Sequence, residues 1–239
     1  MAYDFDGTTD YFYRSTSLTY DNGLSFSAWV NPDVNNENSG IVSALRPGTN
    51  VNFAYMLVRT DGAINATIRG TTVGDTVGAA SPASLLQTGS WQHLAAFCGK
   101  NNQSVWYNGT KYTTGSAALS STPLNPTQIE IGAESEFSQD FNGSIEMVGV
   151  WDRELTDGEF IALSKGIDPK LIPNGKLYCP LIRPTNDYIE GVDMTSSGTP
   201  TFEESTNRYF SRPPITAGVP VAAVAPALPP TLAMMGVGR

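Results

Sequence analysis

The sequence predicts an all-β protein, an antiparallel β-sandwich, and three observations carry that prediction. Short apolar segments with period-two alternation recur along the chain. Tight-turn dipeptides, Asp61-Gly62 and Asn108-Gly109, separate some of them. The composition is turn-rich and poor in charge, with 23 glycines and 16 prolines in 239 residues and only 15% charged. A chain of this length buries a full sandwich core without disulfides or metals.

The clearest strand is Leu24–Val30, in which Leu24, Phe26, Ala28 and Val30 share one face and Ser25, Ser27 and Trp29 the other. Asn31-Pro32-Asp33 ends it, because proline cannot donate to the ladder. Further strands are expected over Gly40–Leu45, Phe53–Arg59, Ala63–Arg69, Trp91–Cys98 and Ser104–Asn108. Lys111–Thr113, Gln128–Gly132 and Ser144–Trp151 follow. One short helix is expected where Thr156 and Glu159 form a capping box, Phe160, Ile161 and Leu163 supply an apolar face, and Gly166 ends it. It is too short to stand alone and must pack on the sandwich. The β pattern returns over Lys176–Ile182, Tyr188–Met194 and Thr199–Glu203.

Two domains of unequal character follow: a sandwich over residues 1–212, with its core motifs in 1–166 and extra strands in 167–212, and an extended arm over 213–239. The arm holds six prolines and six alanines and no charge before Arg239. Its prolines bar a helix or a central strand. Yet Ile215, Val219, Val221, Val224, Leu228, Leu232, Met234 and Met235 make it too apolar for a solvated linker. We expect it to dock on a neighbouring chain.

Charge narrows the partners. The net charge is −9 and the 14 lysines and arginines never cluster, so no nucleic-acid partner is expected. No apolar run spans a membrane, so no membrane partner is expected, and Met1 leads into Tyr3-Asp4-Phe5 without a signal peptide. Cys98 and Cys179 sit in apolar strand patterns and read as buried reduced thiols, with a disulfide as the alternative.

The ordered motifs resemble a known superfamily. They are Phe5-Asp6-Gly7-Thr8-Thr9-Asp10-Tyr11, Leu24–Pro32, Trp91-Gln92-His93-Leu94-Ala95 and Val105–Gly109, followed by Phe141–Glu146 and Val150–Leu155. In this order they resemble the laminin-G-like, or concanavalin-A-like lectin/glucanase, superfamily. The resemblance implies a jelly-roll sandwich. A narrower resemblance joins Gly175–Ile182 and Tyr188–Met194 to the C-terminal extension of laminin-G-like proteins in tailed-phage genomes. It implies a protein of the virion, made in the host cytoplasm, whose partners are capsid or tail subunits and copies of itself.

Candidate chemistry is sparse. Glycosidases on this fold need two carboxylates flanking one bond, whereas the strand Ile145–Val150 carries only Glu146. His93 is the single histidine, and no Gly-x-Ser-x-Gly elbow accompanies it, so a structural hydrogen bond is its expected role and no catalytic residue is assigned. Two acid groups, Asp4, Asp6, Asp10 and Glu134, Glu136, Asp140, offer oxygens of the kind that calcium takes, solvated loop acids being the alternative. Trp29 and Trp106 would form a sugar-stacking platform if they share one face, packing beneath loops being the alternative. The function that the narrower resemblance implies is an auxiliary, non-catalytic surface protein of a phage-type virion, anchored through its arm. The alternative is a glycan-binding adhesion module.

Overall fold

A computed structural model of the chain describes residues 2–35, 37–134, 137–181, 189, 191 and 193–203. In chain order the first strands are β1 (Ala2–Asp6), β2 (Tyr11–Ser15), β3 (Leu24–Pro32), β4 (Ser39–Leu45), β5 (Phe53–Val58), β6 (Ile64–Arg69) and β7 (Thr76–Ala80). Next come β8 (Gln92–Cys98), β9 (Gln103–Tyr107), β10 (Thr110–Gly115), β11 (Gln128–Ile131), β12 (Ala133–Glu134), β13 (Gln139–Asp140) and β14 (Asn142–Trp151). Helix α1 (Asp157–Ser164) precedes β15 (Gly175–Cys179), β16 (Thr195–Ser197) and β17 (Thr201–Glu203).

The strands form two large antiparallel sheets. One runs β10-β9-β8-β3-β14-β1-β17, with β15 also paired to β14; the other runs β16-β2-β11-β4-β5-β6-β7. Strand β14 is long enough for two partners on one edge. Residues Asn142–Ile145 pair β1, and Val148–Trp151 pair β15. This is the sandwich that the alternation predicts, in the jelly-roll form that the resemblance implies.

The core lies between the sheets. Leu24, Phe26, Ala28 and Val30 are each fully buried, as expected for one face of β3. They meet Val42, Ala44, Ala54, Met56, Ile64, Ala66 and Ile68 from the opposite sheet. Strand β14 needs a device to keep its phase. Ile145 faces this core, and so do Val148 and Val150, which strict alternation forbids. A bulge between Glu146 and Gly149 resets the count, with Met147 in the left-handed region at φ 54°.

The outer face of the eight-stranded sheet is not solvated. Ala95, Phe97, Trp106 and Trp151 meet Leu155, Phe160, Leu163 and Ile172 in a second apolar cluster. Helix α1 delivers two of these, and its start is fixed as predicted. The Thr156 hydroxyl accepts from Glu159 N–H, and Glu159 Oε2 accepts from Thr156 N–H at 2.8 Å. The Arg153 guanidinium donates to both Glu159 oxygens, at 3.0 and 2.7 Å, and holds that carboxyl down at about 2.

Hairpin β9–β10 turns on Asn108 and Gly109, both at positive φ (47° and 80°), the geometry that this dipeptide favours. Cys98 and Cys179 are buried free thiols. The expected strand Tyr188–Met194 lies partly outside the described residues, of which Asp193 makes an isolated bridge. Strand β7, at a sheet edge with only Ala79 buried, carries too little apolar alternation to be read from sequence. No helix among the described residues is long and apolar enough to cross a membrane. The arm, residues 213–239 with Ile215 through Met235, lies outside the described residues.

Candidate functional site

The two tryptophans singled out by sequence do not form an open platform. Trp29 is 3% exposed and Trp106 is 2% exposed. The Trp106 ring is stacked against Phe160 of α1 at 4.8 Å, with the Lys111 ammonium over it at 5.1 Å. Trp29 packs edge-on against His93 at 5.6 Å. Alternation placed both rings on the outer face correctly, but the helix and loops that cover that face come from elsewhere in the chain.

His93 has the structural role expected of it. Its Nε2 and the Ser27 hydroxyl are hydrogen-bonded at 2.9 Å, and burial pushes its pKa down to about 3, so the ring is neutral. Glu146 is buried within β14, opposite Trp29 in register.

The acid groups fare differently. Asp6 is consumed by its own turn, where Oδ1 accepts from the N–H of Thr8, Thr9 and Asp10 and Oδ2 accepts from the Thr8 hydroxyl at 2.6 Å. These bonds hold its carboxyl far below the usual range. Asp10 is buried and accepts from Thr199 N–H at 2.7 Å. Asp4 accepts from the Ser144 hydroxyl at 3.4 Å, and buried Glu134 accepts from Phe137 N–H at 3.0 Å. Glu136 lies outside the described residues. Among the described residues no group of three acid, histidine or cysteine side chains could hold a metal ion. The oxygens of Asp4, Asp6, Asp10 and Glu134 are thus engaged by donors of turns and strand ends.

What the fold does bring together is Asp140 with Asp6 and Asp10. The hairpin β12–β13 folds back over the outer face of the seven-stranded sheet. Gly40 permits this approach, since any Cβ there would collide with the Ala133–Glu134 peptide. Asp140 then faces the turn between β1 and β2. Partial burial, together with the charges of Asp6, Glu130 and Asp10, pushes its pKa up to about 6. Beside it lies a cavity of about 230 Å³ lined by Thr8, Thr9, Tyr11, Ser138, Asp140 and Ser197. Tyr11 and Tyr13 form a tilted ring pair at 5.8 Å, and both are only half-buried. Sequence reasoning singled out Asp140 but missed Tyr11, Ser138 and Ser197. A half-exposed Tyr-x-Tyr strand after an aspartate turn was the only signal available.

Two antiparallel sheets packed face to face, with one short helix on the outer face, define the class of fold. The chain belongs to the concanavalin A-like lectin/glucanases superfamily, whose sequence profile matches residues 6–160. Solved structures of the same fold include the heptameric SAP-like pentraxin of Limulus polyphemus, 17% identical with a TM-score of 0.57, covering 82% of this chain and 90% of that one. The Ruminococcus gnavus IT-sialidase CBM40 bound to alpha2,3 sialyllactose is 16% identical with a TM-score of 0.51, covering 62% of this chain and 84% of that one. A candidate carbohydrate-binding protein of Bacteroides ovatus is 16% identical with a TM-score of 0.56, covering 86% and 61%. No curated protein matches the chain by sequence.

Proposed function

We propose that this domain is a non-catalytic glycan-binding module whose site is the pocket beside Asp140. The observation that carries the reading is the lining itself. Four aliphatic hydroxyls, one phenol and one carboxylate surround about 230 Å³. Hydroxyls both donate and accept, so they suit a polyol. The Asp140 carboxylate makes no hydrogen bond or ion pair among the described residues and is free to accept from sugar hydroxyls. The half-exposed Tyr11–Tyr13 pair supplies the apolar ring face that sugars stack on. The Ruminococcus module of this fold is bound to a sialylated sugar, but the proposal rests on the pocket.

The virion reading stands on the resemblance of residues 175–194 and on the arm, which the described residues do not include. Glycan binding is therefore the reading that the geometry favours. Titration calorimetry on hits from a glycan array tests it. Tyr11→Ala and Asp140→Asn should each weaken binding about tenfold to a hundredfold, the loss expected for a stacking face or a charge-assisted hydrogen bond. Glu146→Gln should leave binding unchanged, and no glycan should be hydrolysed. A chain that binds no saccharide, or one whose affinity ignores both pocket substitutions, overturns the proposal.

A further inference from the structure

A second cavity lies on the opposite sheet, where the start of β8, the β9–β10 turn and the end of α1 meet. It measures about 130 Å³ and is lined by Trp29, Trp91, Asn108, Ser164 and Lys165. Trp29 forms a buried wall, while Trp91 is only half-buried and offers an indole face. The walls are held rigidly. The Asn108 Oδ1 accepts from His93 N–H at 2.8 Å, and the Ser164 hydroxyl donates to the Ile161 carbonyl at 2.7 Å. Gly109 lets the hairpin touch α1, since a Cβ there would strike the Ser164 hydroxyl.

The chemistry of this cavity differs from that of the first. Lys165 is exposed and makes no ion pair among the described residues. No carboxylate lines the cavity. Behind Trp29, the fully buried His93 carries an Nδ1 with no hydrogen-bond partner among the described residues. The Asn108 side chain is engaged on both sides, its Oδ1 by His93 N–H and its amide by the Tyr107 phenol, so it serves as a fixed wall. One aromatic face and one unpaired ammonium against a fixed polar wall make a site for an anionic acceptor attached to a small ring.

We infer that this cavity binds the carboxylate of an acidic saccharide, a uronic acid being the simplest member of the class. Bulk electrostatics do not select such a ligand, because the chain carries a net charge of −9 and repels anions at a distance. Recognition is local: the carboxylate pairs with the Lys165 ammonium while the ring lies on Trp91. A bare phosphate leaves the indole face uncovered, and a neutral sugar leaves the ammonium unpaired.

The test uses the full chain and the indole N–H signals of its four tryptophans in a two-dimensional NMR titration. Glucuronate should shift the signals of Trp29 and Trp91 and leave Trp106 and Trp151 in place. Glucose and inorganic phosphate should bind at least about tenfold more weakly. Lys165→Met should weaken glucuronate at least about tenfold with an unchanged melting temperature, the loss expected for one charge-assisted bond. Tyr11→Ala should leave this titration unaltered, which separates the cavity from the pocket beside Asp140. Equal binding of glucose or phosphate, shifts absent from Trp29 and Trp91, or wild-type affinity in Lys165→Met each overturns the inference.

Discussion

Asp140 and His93 carry opposite pH signatures, and their signs follow from what each residue faces. Asp140 is partly buried and sits among like charges, so its folded pKa is about 6 against an ordinary 3.8. Its contribution to stability is fully present below pH 3.8 and is lost as pH rises through 6. His93 is buried without a charged partner, so its folded pKa is about 3 against an ordinary 6.5. Its contribution is present above 6.5 and is lost as pH falls through 3. Between pH 4 and 6 the two slopes oppose each other. Asp140→Asn removes one of them. The variant should melt above the wild type at pH 7, and the gap should close by about pH 4, leaving the His93 slope exposed. Calorimetric scans at several pH values check this; a gap independent of pH would show that Asp140 does not feel its acidic neighbours.

Among the elements, α1 matters beyond its eight residues. It has only about two turns, yet it covers the outer face of the eight-stranded sheet through Phe160 and Leu163. The stacked pair Phe160–Trp106 is the centre of that cover. Phe160→Ala should cost about 3–5 kcal/mol, from lost burial plus the cavity left under the helix. It should also move Trp106 fluorescence to the red as water reaches the ring. Urea unfolding and emission spectra measure the two effects together. The hairpin β12–β13 plays a parallel part on the other sheet, where it carries Asp140 to the turn that holds Asp6 and Asp10.

At the scale of the molecule, every buried core residue among those described lies between Ala2 and Met194. Residues 213–239 lie outside the described residues, and their composition is that of an extended arm. Deleting them should shift the melting temperature by less than the roughly 2–4 °C that 1 kcal/mol produces in a domain of this size. If the arm docks on a neighbouring chain, as its composition predicts, the full chain should sediment as an oligomer and the truncated chain as a monomer. A truncated chain that unfolds would place the arm on its own sandwich instead.

The amino-acid sequence by itself determined the strands whose alternation is strong, the Asn108-Gly109 turn, the capped helix and the inward face of β3. Each of these depends on residues a few positions apart, so local sterics and period-two patterning decide it. The tertiary structure alone decided which outward faces meet water. Trp29 and Trp106 point away from the main core, as their parity requires, but α1 and the loops bury them from far along the chain. Met147 shows the same limit within one strand, because a bulge that reverses parity is set by its pairing with β3 rather than by its neighbours. The pocket beside Asp140 draws on residues from Thr8 to Ser197. No spacing rule links positions so distant. They converge only because two sheets pack face to face and the β12–β13 hairpin folds over one of them.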